Sequence, residues 1–81
     1  MTRFDPVWVA SLPDIAVMKA YAFQNRNEDR DYTDLLYALG KMKRVGETFA
    51  QYRLKQSEII TIQSVVAGDE EGELCISEVM E

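Results

Sequence analysis

The chain has no histidine, and its only cysteine is Cys75. A Ser-His-Asp triad, a Cys-His pair, a zinc site and an internal disulfide are therefore excluded within one copy. Glycine and proline are sparse, at four and two residues, and no glycine precedes Gly40. Positive charge is also in short supply. Nine basic residues face fourteen acidic ones, for a net charge of −5 and a pI near 4.6. That balance argues against nucleic-acid binding driven by net charge and against an anionic membrane surface. Long apolar runs are missing too. The longest, residues 59–67, is interrupted by Thr61, Gln63 and Ser64 and falls well below the ~20 residues of a bilayer span. The first six residues lack the apolar run of a signal peptide, and a lone thiol suits a reducing compartment. The expectation is a cytoplasmic chain.

What is present is ordinary for one small domain: 81 residues, 47% hydrophobic and 28% charged. A chain this short hides only about 60% of its unfolded surface, so its core is marginal. Residues 4–10 read as extended, because Pro6 disfavours helix at Asp5 and Val7, Trp8 and Val9 favour strands. Ser11, Pro13 and Asp14 then form a helix start: a cap, a first-turn proline and an acid at the positive end of the dipole. The spacing of Leu12, Ile15, Ala16, Lys19, Ala22 and Phe23 predicts a helix from Pro13 to about Asn25. Lys19 interrupts that stripe.

Residues 24–29 are polar and read as a loop. Asp29 is placed to cap a second helix from about Arg30 to Lys43, with Tyr32, Leu35, Leu36 and Leu39 on its apolar face and Gly46 as its stop. A third helix is expected over residues 47–56 with Phe49 and Tyr52 inward. A fourth is expected over residues 57–67 with Ser57 as its cap, although the β-branched run at Ile59–Ile62 also permits a short strand. Residues 68–72 read as a turn and residues 74–80 as a last helix. No internal repeat is present. The four tyrosines read as helix-packing aromatics, and Lys41, Lys43 and Arg44 as a charge cluster complementing a helix C-terminus. Cys75 reads as a half-buried hydrophobe.

One pairing of motifs goes further. Leu12, Asp14, Ile15, Ala16 and Lys19 open the first helix, and Arg30, Asp31, Asp34 and Leu35 open the second after a short polar connection. Together they resemble the closing segment of AbiEii-type nucleotidyltransferases, the enzyme component of many bacterial toxin–antitoxin and phage-resistance loci. The match covers residues 8–40, about half the chain, and neither half is specific alone. The resemblance implies Lys19 as a nucleotide-phosphate contact, a point charge suited to a triphosphate. It implies Asp34 as an active-site carboxylate, with Arg30 and Asp31 in structural support. Mg²⁺ and a nucleoside triphosphate are implied for the intact family.

The family's metal-binding carboxylates follow a glycine–serine turn on a strand, and nothing of that kind precedes the lysine helix here. Asp29 and Asp31 have the spacing of an aspartate pair, but they sit at a helix start, so no metal site is assigned. The sites at Lys19 and Asp34 are read as vestigial, and no cofactor is expected for this chain alone.

Plainer readings stand beside these. Lys19 can snorkel along apolar neighbours, or pair with Asp34 or Asp31 between the helices. Arg30 and Asp31 can be solvated helix-start charges. The expected architecture is all-α: three to five short helices in one domain, with an extended arm (residues 1–11), a family-like hairpin (12–44) and further helices (45–81). Leu12, Ile15, Ala22 and Phe23 are expected to face Leu35, Leu36 and Leu39. The function implied is a non-catalytic fragment or remnant of the enzyme. The alternatives are a small protein-interaction module or homodimer, the arms pairing around Trp8, or an enzyme lobe completed by a second chain.

Overall fold

Ser11 caps the first helix as the sequence predicts. Its hydroxyl oxygen accepts from the Asp14 N–H at 3.2 Å, which satisfies one of the helix's orphan donors. The structure, a computed structural model, describes residues 11–80. It contains α1 (Leu12–Arg26), α2 (Asp29–Val45), a short 3-10 helix (Phe49–Tyr52), α3 (Gln56–Val66) and α4 (Glu70–Val79). The expected all-α architecture is therefore observed, with no strand among the described residues. The expected N-terminal arm lies outside the described residues except for Ser11. No helix among the described residues is long and apolar enough to cross a membrane.

The polar stretch at residues 24–29 is mostly helix rather than loop. α1 runs to Arg26, and Asn27 closes it in the left-handed region at φ 56°, its N–H donating to the Phe23 carbonyl. Asparagine tolerates that conformation better than most residues. Only Asn27 and Glu28 connect the helices. Asp29 is thus the first residue of α2 and not its cap. Its charge still suits the first turn. Gly46 ends α2 as expected, at φ 79°. The N–H groups of Gly46 and Glu47 return to the carbonyls of Lys43 and Met42, a Schellman closure.

After Gly46 local propensity gives way. Where a helix is expected over residues 47–56, the chain forms one 3-10 turn, Phe49–Tyr52, and Gln56 already opens α3. The Gln51 side chain accepts from the Thr48 N–H, and Arg53 ends the turn at φ 54°. Phe49 is buried as expected, whereas Tyr52 is exposed. The turn redirects the chain so that α3 lies against α1, and Phe49 joins the core. The isoleucine run is helical, with the Thr61 hydroxyl donating to the Ser57 carbonyl at 2.9 Å. Glu58, not Ser57, closes the start of α3 by accepting from the Lys55 N–H. The expected turn at residues 68–72 is shorter, because α4 already begins at Glu70 and carries Gly72 inside it.

The helices pack in a ring, α1 on α2, α2 on α4, α4 on α3 and α3 on α1. Ala16 and Ala20 are fully buried one turn apart on α1. These small side chains allow α2 to approach with Leu35, Ala38 and Leu39. The inner face of α1 is therefore Ala16, Val17 and Ala20, with Leu12 and Ile15 at its margin. Leu36, expected to face α1, is only partly buried and lines the α2–α4 side. Cys75 is free and half-buried, as expected. Of the tyrosines, Tyr21, Tyr37 and Tyr52 are exposed; only Tyr32 packs, its ring 5.2 Å from that of Phe23.

Gly40 lies inside α2, and a Cβ built there meets nothing within 4 Å. Gly40→Ala is expected to stabilise the fold by about 0.5–1 kcal/mol through helix propensity and reduced unfolded-state freedom. Chemical denaturation followed by circular dichroism checks the sign.

Candidate functional site

Lys19 and Arg26 are seven residues apart on α1, two turns along one face. Asp31 and Asp34 are three apart on α2, and likewise share a face. The short Asn27–Glu28 connection folds these two stripes together. Lys19 Nζ stands 3.0 Å from Asp34 Oδ2 and 3.7 Å from Asp31 Oδ1. Arg26 Nη2 donates to both carboxylate oxygens of Asp31, at 3.0 and 2.9 Å. Two cations and two anions thus alternate across the hairpin.

Burial separates the members. The Asp31 side chain is 1% exposed, against 29% for Lys19, 45% for Asp34 and 53% for Arg26. A buried carboxylate without partners would be costly. Asp31 has two cations beside it, and its place in the first turn of α2 puts it at the positive end of the helix dipole. Its burial overturns the reading of Asp31 as a solvated helix-start charge. Arg30 fits that reading instead: it is exposed and pairs with Glu28 at 3.2 Å, away from the cluster. Arg26 was not singled out by sequence, because the polar run around it read as loop. The signal that would have found it is its helical phase with Lys19.

Of the two readings of Lys19, pairing across the hairpin is the one the geometry adopts. Its ammonium is taken up by both carboxylates, and only Asp34 presents much of its surface to solvent. A phosphate approaching Lys19 would have to displace Asp34 and would meet the negative charge of Asp31. Asp29 and Asp31 diverge, Asp29 being exposed and Asp31 turned inward. Among the described residues no group of three or more His, Cys, Asp or Glu side chains converges as a metal site.

A second polar contact ties α2 to the α3–α4 turn. The Tyr32 hydroxyl donates to Asp69 Oδ2. Burial, and then the Asp69 carboxylate, push the Tyr32 hydroxyl well above the ordinary tyrosine range. Asp69 precedes α4 but makes no side-chain cap bond to it, since its carboxylate is directed at Tyr32. Near the other end of the bundle, the Glu47 carboxylate beside Tyr52 raises that hydroxyl in the same direction.

No protein-family model matches the chain, and neither a curated protein nor a solved structure matches it.

Proposed function

We propose that these 81 residues are a non-catalytic fragment or remnant of an AbiEii-like nucleotidyltransferase, in which the former phosphate-handling pair, Lys19 and Asp34, now clasps two helices together. The observation that supports this reading is the neutralisation of Lys19 by Asp34 and Asp31 across the hairpin. An ammonium held by two carboxylates is a weak phosphate receptor, because binding must first separate the ion pairs. Arg26 and Asp31 complete the clasp, and Arg30 stands outside it.

Titration of the full chain with Mg-ATP, followed by amide chemical shifts, tests the reading. No saturable shift at Lys19 or Asp34 is expected up to millimolar nucleotide. A saturable shift centred on those two residues would overturn it and favour an enzyme lobe completed by a second chain.

A second reading, a small helical interaction module of a toxin–antitoxin-like locus, is favoured by a separate observation. Large apolar side chains stand in solvent on all four α-helices of the described residues: Met18 on α1, Tyr37 on α2, Ile60 on α3 and Leu74 on α4. A protein partner that covered them would remove this apolar area from water.

A further inference from the structure

α2 and α4 leave an open groove of about 380 Å³ between them. Its walls include Leu36, Tyr37, Gly40 and Cys75, with Arg44 and Glu71 as its charged members. The charges lie toward opposite ends. Asp69, just before α4, is bonded to Tyr32 near the start of α2, so Glu71 in the first turn of α4 belongs to that end. Arg44 is twelve residues beyond Tyr32 on α2, about 18 Å along the axis. Among the described residues no ion pair joins Arg44 and Glu71.

A groove that is apolar in the middle, positive at one end and negative at the other is complementary to itself when reversed. A two-fold axis performs that reversal, and each contact then occurs twice. We propose that the α2–α4 groove is the interface of a homodimer in which Arg44 of each copy meets Glu71 of the other. The two-fold axis passes near Gly40. There the absence of a side chain, with nothing within 4 Å of a built Cβ, lets the two α2 helices approach closely. Tyr37 and Leu74, each 60% exposed in the single chain, supply apolar area that the contact covers. Leu74 is three residues after Glu71 and shares its face of α4. This proposal rests on the interaction-module reading and not on any nucleotide chemistry. It therefore stands or falls separately from the Mg-ATP titration.

Sedimentation equilibrium of the full chain over a range of concentrations provides the test. The expected result is a reversible shift from the 9.3 kDa chain toward twice that mass. Arg44→Glu and Glu71→Arg each place like charges together at both ends, and each should weaken association by tenfold or more. The double reversal restores opposite charges and should recover most of the affinity, a rescue that a merely structural effect would not give. Gly40→Trp fills the groove and should yield a monomer whose helical circular dichroism is unchanged. Should that variant lose helix, the charge reversals at the surface still decide the matter. A wild-type chain that stays monomeric at every concentration, or a dimer indifferent to both reversals, would overturn the proposal.

Discussion

Arg26→Ala is expected to cost about 2–3 kcal/mol of folding stability, although Arg26 is the most exposed member of its cluster. The reason lies in what the substitution leaves behind. Asp31 is 1% exposed and takes both of its strongest contacts from Arg26 Nη2. Charge-assisted hydrogen bonds contribute roughly 1.5–3 kcal/mol, and a buried ion stripped of its partner adds its desolvation penalty. The remaining cation, Lys19, is 3.7 Å away and already closer to Asp34. Full loss of a buried pair would cost about 3–5 kcal/mol, and the partial exposure of Arg26 lowers that figure.

The other members should behave differently. Lys19→Ala should cost about 1 kcal/mol, since Asp31 keeps Arg26. Asp34→Ala should cost less than about 0.5 kcal/mol, because its half-exposed carboxylate is screened by water. A domain of this length holds only about 4–12 kcal/mol in total. The ranking Arg26, Lys19, Asp34 is therefore measurable by urea denaturation. Equal losses at all three would contradict the buried carboxylate as the centre of the clasp.

Gly72→Ala is expected to destabilise the protein by about 2 kcal/mol, the opposite sign from Gly40→Ala. Both glycines lie inside helices, where alanine is favoured by about 1 kcal/mol. At Gly72, however, a Cβ would stand 2.8 Å from Val66 Cβ and 3.1 Å from both Val66 Cγ1 and Asp69 Oδ2. Val66 is buried at the end of α3, and its Cβ is fixed to the backbone, so α3 must shift away from α4. Overpacking of this kind costs about 1–3 kcal/mol, and displacement of Asp69 also disturbs its bond from Tyr32. Thermal unfolding of the two variants side by side provides the check. A Gly72→Ala chain that melts above the wild type would mean that the α3–α4 contact is looser than the structure has it.

These two residues also mark the limit of what periodicity conveys. Gly72 read as part of a turn because glycine beside acids is a common turn signal. It is helical because the packing of α4 on α3 leaves room for nothing larger. Arg26 read as loop because its neighbours are polar on every face; it is helical because α2 returns at once and supplies Asp31 as a partner. Phe49 and Tyr52 share a local context, yet the reversal toward α3 buries the first and exposes the second.

The start of α1 at Ser11, the stop of α2 at Gly46 and the apolar stripe of Leu35 and Leu39 follow from the order of residues alone. Each depends on interactions within a turn or two of the chain, so neighbours suffice to specify them. The possibility that Lys19 meets Asp34 or Asp31 also follows from helical phase. Which carboxylate is buried, which arginine reaches it, and where the chain turns between residues 47 and 56 depend on contacts between segments distant in sequence. Those contacts come from the mutual packing of four helices around one core, and no local pattern encodes their geometry.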